Sequence, residues 1–317
     1  MPLGTAPRDT QTRITQAIAR TRAVARSLPD TAQDPAEDLT AITLLHHLKA
    51  IPIVLTCDDL LIRLGSPSRA VNVLRPALHH LEALVYRADL AFEHHQRGGP
   101  PPASTWRAGI TAVMAAYGLA DDPDLTAELD TLDAYSLQET RIIQGTEPVD
   151  TDALHATCYS RSSHIRLLLR FGLHLADLPV NEEFLHLARH VFARDEVVAD
   201  CVSFEDDVAD DSFNTLRLQV RLHGVDGAAE AQEALYARIL RDLDADLAQA
   251  RRTALLAFAN AFLPRPLAGK ANRYRPTPRI PAVRRLQPLP LLRLHVRHQA
   301  RTSKRLKPVP VPTPGNT

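Results

Sequence analysis

The sequence predicts an all-α fold, on three observations. Apolar residues recur at three- and four-residue spacing along almost the whole chain. The strict alternation of β-branched residues that marks strands is nearly absent. Short Gly- and Pro-rich breaks, such as Gly65-Ser66-Pro67 and Arg97-Gly98-Gly99-Pro100-Pro101-Pro102, separate the periodic runs. The 317 residues suffice for one large helical domain with a buried core, or two small ones.

Taken in order, residues 1–37 read as a polar lead-in holding one Arg-rich helix around residues 13–28. Residues 39–64 are strongly apolar and read as two helices, with Pro52 breaking the run because it lacks a backbone N–H. Residues 68–96 form one long helix that the Gly-Pro loop closes. Further helices are expected over residues 104–117, 125–144, 151–175 and 181–210. A last amphipathic stretch runs from Ala228 to Phe262, where Pro264 and Pro266 stop it. From Arg273 on, repeated X-Pro steps and basic residues predict extended, disordered chain. Residues 38–275 are thus the expected helical domain and residues 276–317 a basic, Pro-rich tail. No internal repeat is visible.

Hydrophobic residues make up 45% and charged residues 23%, a globular mixture with formal net charge zero, so composition does not point to nucleic acid. The charge is nevertheless uneven: from Arg251 to Thr317 there is no Asp or Glu, while Lys and Arg recur. Cys57, Cys158 and Cys201 are too scattered for a disulfide framework or a zinc site, which fits a reducing cytoplasm. Residues 1–12 lack the apolar core of a signal peptide, and no apolar run approaches a membrane span, so stable membrane insertion is not expected. His46-His47, His79-His80 and His94-His95 are adjacent pairs that point to different helix faces, and they read as surface.

Two acidic clusters carry the chemistry. Asp58-Asp59 ends the apolar run from Ile51 and reads either as a solvated helix terminus or as a site for Mg²⁺, a hard ion that prefers carboxylate oxygen. In the stretch from Val198 to Asp211, Asp200, Ser203 and Asp207 stand at i, i+3 and i+7. On one continuous helix they share a face and form a three-ligand clamp for a divalent ion, with Glu205 and Asp206 pointing elsewhere.

This second segment resembles the metal-binding helix of class I terpene synthases, whose pattern is Asn-Asp-x-x-Ser-x-x-x-Glu followed by a further Asn. Asp200 and Ser203 match it and Asn214 sits near the trailing Asn, whereas Ala199 replaces the leading Asn and Asp207 the Glu. Asp58-Asp59 stands where that family carries its aspartate-rich motif, with Ile62 in place of a further acid. Arg161 resembles the family's diphosphate-sensing Arg, although ungapped counting from Pro148 reaches Thr157 instead. Arg273-Tyr274 resembles its C-terminal Arg-Tyr pair. The resemblance spans roughly residues 40–275.

The resemblance implies a helical bundle around a central cavity, with Mg²⁺, up to three ions, held by Asp58, Asp59, Asp200, Ser203 and Asp207. Arg161, Arg273 and Tyr274 would donate hydrogen bonds to the diphosphate of a linear isoprenoid substrate, such as farnesyl or geranylgeranyl diphosphate, which ionises and cyclises with release of diphosphate. A homodimer stays open. Aromatics amount to only 5%, so a cavity would rely on Leu, Ile and Val. The rival reading is a helical binding protein that kept the fold and lost metal competence. A chain-elongating prenyltransferase fits less well, since the stretch around Ser203 is not a second aspartate-rich motif.

Overall fold

The computed structural model describes Ile42 and residues 44–102 and 106–263. The lead-in with its expected helix, Arg273, Tyr274 and the basic tail lie outside the described residues. Every regular element among the described residues is an α-helix. They are α1 (Leu44–Arg63), α2 (Ser68–Gln96), α3 (Trp106–Ala116), α4 (Pro123–Ile143), α5 (Thr151–Arg161), α6 (Ser163–Leu175), α7 (Glu182–Val202), α8 (Phe204–Ala209), α9 (Thr215–Gln249) and α10 (Arg252–Phe262). None is long and apolar enough to cross a membrane.

Several boundaries depart from expectation, each for a local reason. Helix α1 runs through Pro52 without a break. Pro52 is exposed, as is Leu48, whose carbonyl would have bonded the missing N–H, so that carbonyl can turn to water. The Thr56 hydroxyl donates to the Pro52 carbonyl at 2.9 Å. The single helix expected over residues 151–175 divides at Ser162 (φ −74, ψ 6) into α5 and α6. Side chains bridge that division: Arg166 donates to the Tyr159 carbonyl at 2.7 Å and to Ser162 Oγ at 3.0 Å.

The helix expected over residues 181–210 likewise ends early. Ser203 (φ −87, ψ 2) closes α7 and opens the short α8, so Asp200 and Asp207 do not lie on one continuous helix. Helix α9 begins at Thr215, well before Ala228, and bends at Gly224, whose φ of 71° is a left-handed value that a side chain would penalise. The histidine pairs also need correction. Residues 76–85 of α2 are buried on every side, so His79 and His80 are internal, as are His46 and His47 on α1; His94 is exposed. Adjacency did not place one ring outside because this part of α2 has no solvent face.

Contacts within the chain gather into two units. The first contains the described residues up to Ala91, with Pro101–Leu129 and Leu167–Val180. Its core includes Val54, Cys57, Leu61, Leu78 and Leu81. Gly172 lets α6 come close there, since a Cβ on it would meet Leu61 Cδ1 at 3.0 Å. The second unit contains Phe92–Pro100, Asp130–Arg166 and the described residues from Asn181 on. In it α7 packs chiefly on α9, and also on α5 and α10. Its core joins Cys158 of α5, Val197 and Cys201 of α7, and Leu216, Tyr236 and Ile239 of α9. Beside it Ile142, Leu154, Phe213 and Leu218 form a smaller cluster.

Candidate functional site

The second unit brings Arg161, Asp200, Ser203, Asp207 and Asn214 into one hydrogen-bonded network. Caps fix the elements that hold them. Asp150 and Asn181 accept from the Ala153 and Phe184 amides at the starts of α5 and α7, at 2.8 and 3.0 Å. Asn214 caps α9 in the same way, its Oδ1 accepting from the Arg217 amide at 3.1 Å. Its amide nitrogen donates one hydrogen to the Asp200 carbonyl and the other to Asp207 Oδ2, each at 2.7 Å. One buried side chain thus starts a helix and ties two acids together.

Asp200 is fully buried. One carboxylate oxygen accepts from Arg161 Nη1 at 2.5 Å and the other from the Thr215 amide at 2.7 Å. Arg161, the last residue of α5, also reaches Glu196, one turn before Asp200 on α7, at 3.0 Å. Its guanidinium lies 5.6 Å from the centre of the Phe213 ring, which in turn meets Tyr135 edge-on. Ser203 Oγ lies 2.5 Å from Asp207 Oδ2 and 3.1 Å from the Ala199 carbonyl. Its single proton goes to the nearer, charged acceptor.

The electrostatics are lopsided. Glu139, Glu196, Asp200 and Asp207 all interact with the Arg161 charge. Burial pushes the Asp207 carboxyl above its usual range, only partly offset by the hydrogen bonds from Ser203 and Asn214. Burial does the same to Glu139, against hydrogen bonds from Tyr135 and Gln96. Burial would lower Arg161, but Asp200 and Glu196 outweigh it and hold its charge in place. Both carboxyls are raised because burial strips their water, which their hydrogen bonds and the Arg161 charge offset only in part.

Asp58 and Asp59 belong to the first unit, and the chain sends them to different surroundings. Asp58 is buried and pairs through Oδ2 with Arg75 of α2, while its Oδ1 has no hydrogen-bond partner among the described residues. Burial raises its carboxyl, against the Arg75 pairing. Asp59 is exposed and pairs with Arg63, one turn on, at 2.5 Å.

Two sets of residues escaped the sequence reading. Glu196 completes the grip on Arg161, and its spacing of four before Asp200 on a helix is the signal that could have found it. His186, His190 and Asp246 converge elsewhere in the second unit, foreshadowed by the four-residue spacing of the two histidines. Comparison with protein-family models and with curated proteins finds no match for this chain.

Proposed function

We propose that this chain is a class I terpene synthase-like protein with altered motifs, acting with Mg²⁺ on a linear isoprenoid diphosphate and releasing diphosphate. The observation that carries the reading is the crowding of Glu196, Asp200 and Asp207 around Arg161, with Ser203 and Asn214 bonded into the same cluster. The donors are carboxylate and hydroxyl oxygens, the set that a hard divalent ion prefers, so the residues present fit magnesium.

Asp200, Ser203 and Asp207 would hold the ion, and magnesium when bound supplies charge that steadies the departing diphosphate. Arg161 would offer its guanidinium to diphosphate oxygens, exchanging part of its pairing with Asp200 and Glu196. Asn214 would keep Asp207 oriented through the exchange. Arg273 and Tyr274, outside the described residues, would add donors as the resemblance implies.

A second reading, a binding protein without turnover, draws on one observation: both oxygens of Asp200 are already bonded by the protein itself. One experiment separates the two. Purified protein is incubated with geranyl, farnesyl and geranylgeranyl diphosphates and Mg²⁺, with organic products and free diphosphate measured. Magnesium-dependent product that disappears in Asp200→Asn supports the enzyme. Tight binding of a diphosphate without product supports the binding protein, and neither binding nor product sinks both.

A further inference from the structure

We propose that His186, His190 and Asp246 form a site for a zinc-like divalent ion, separate from the acidic cluster and independent of the reading above. His186 and His190 stand one turn apart on α7, and Asp246 faces them from α9. Their Nε2 atoms each lie 2.7 Å from Asp246 Oδ2. Two imidazoles and a carboxylate converging from rigid helices are the donor set of open zinc sites, in which water takes the remaining position. His190 is buried, whereas His186 is about half exposed (47%), which leaves a side open to solvent.

Hydrogen bonds around the site fix the orientation of its rings. Tyr159 has one proton, which it donates to Asp242 Oδ2 at 3.2 Å. The same oxygen lies 2.8 Å from His190 Nδ1; in the tautomer that donates Nδ1–H to it, Nε2 is free for an ion. His155 Nε2 lies 2.7 Å from the same Asp242 oxygen. Arg189 Nη2 lies 3.2 Å from His186 Nε2, the nitrogen that also lies 2.7 Å from Asp246. The three ligand atoms lie within 4.8 Å of one another, close enough for one ion to reach them all. The chain from His190 through Tyr159 to Asp242 is the kind of outer support that fixes ligand histidines in metal sites.

Arg189 is the competing charge. Its guanidinium lies 3.9 Å from Asp246 and stacks over Tyr159 at 5.3 Å. An ion entering the site displaces its hold on the carboxylate.

The test uses the full chain, stripped with chelator and titrated with Zn²⁺ by calorimetry and with Co²⁺ by visible absorption. One equivalent of Co²⁺ should give the strong visible bands of a four-coordinate site. Because His186 is at the surface, His186→Ala should fold normally, as its far-ultraviolet dichroism would check, and lose at least tenfold in zinc affinity; Asp246→Asn should do likewise. Tyr159→Phe, which removes only the outer support, should weaken binding on the order of tenfold. Arg189→Gln should strengthen it. Binding that is equal in wild type, His186→Ala and Asp246→Asn would be adventitious and would overturn the proposal, as would the absence of any Zn²⁺ uptake by the folded protein.

Discussion

Asp207 illustrates how one half-buried acid can be read in two directions. Its folded pKa is raised, so its ionised form costs stability once the pH exceeds that value, and the cost vanishes below the unfolded value near 3.8. Asp207→Asn keeps an oxygen to accept from Ser203 and Asn214 while removing the charge. Without added metal, this variant should melt higher than wild type at pH 7, with the gain shrinking as pH falls through the carboxylate range. Added Mg²⁺ should raise the melting temperature of wild type more than that of the variant. Thermal scans at several pH values, with and without Mg²⁺, check both signs.

Asp200 differs because its charge is fully paired. Asp200→Ala leaves Arg161 and the Thr215 amide facing a void, and loss of one partner from a buried pair typically costs about 3–5 kcal/mol. Glu205 is exposed on α8, so Glu205→Ala should stay within about 0.5 kcal/mol of wild type. Denaturant melts of the two proteins make the comparison. Equal stability would mean that the Asp200–Arg161 pair does not hold the second unit together.

At the scale of elements, what could be read from the sequence depended on how the chain announces its breaks. The helix from Ser68 to Gln96 was legible because periodicity runs unbroken between two Gly-Pro boundaries. The divisions at Ser162 and Ser203 were not, since no Gly or Pro marks them; at each, a serine hydroxyl takes a local partner, the Tyr159 carbonyl for Ser162 and the Asp207 carboxylate for Ser203. Pro52 misled in the opposite sense, because its cost depends on whether the stranded carbonyl can reach water, which periodicity does not reveal.

The candidate site divides along the same line. The closeness of Ser203 to Asp207 was legible from spacing, although the single helix face expected to join Asp200 to them breaks at Ser203; Arg161 gripping Glu196 and Asp200 required knowing how α5 packs on α7. The burial of His79 and His80 was hidden for a similar reason: a helix enclosed on all sides can be recognised only once its neighbours are in place.

Pro52 also yields a direct test. An exposed proline inside a helix is roughly 3 kcal/mol worse than alanine, offset by about 1 kcal/mol for the stiffer unfolded chain. Pro52→Ala should therefore stabilise the protein by about 2 kcal/mol, worth a melting increase of several degrees at this size. A fall in melting temperature would mean that the exposed proline is itself needed for the course of α1.

Across the whole molecule, the three cysteines sample both units. Cys57 lies in the first, Cys158 and Cys201 in the second, and all three are buried free thiols. Burial raises each, Cys201 to about 12, so little thiolate forms at neutral pH. Native protein should react with a thiol-specific chromogenic disulfide far more slowly than a free thiol does, and denatured protein should titrate three groups per chain. Slow labelling in denaturant-free buffer would then report opening of the fold. Rapid reaction of one or more thiols in folded protein would contradict the enclosure of these cores.

The triple bonding of Asn214 also bears on how the molecule ages. Spontaneous hydrolysis of an asparagine amide begins when the next residue's backbone nitrogen attacks the side-chain carbonyl. Here that nitrogen, on Thr215, is held by Asp200 Oδ2 at 2.7 Å, and the carbonyl it would attack is held by the Arg217 amide at 3.1 Å. Conversion to aspartate would replace a donor with an acceptor beside Asp207 and the Asp200 carbonyl, which is the error this site can least tolerate. The same bonds that gather the acids therefore keep Asn214 from turning into another one, and the protein carries a chemical clock that runs only when α9 comes loose.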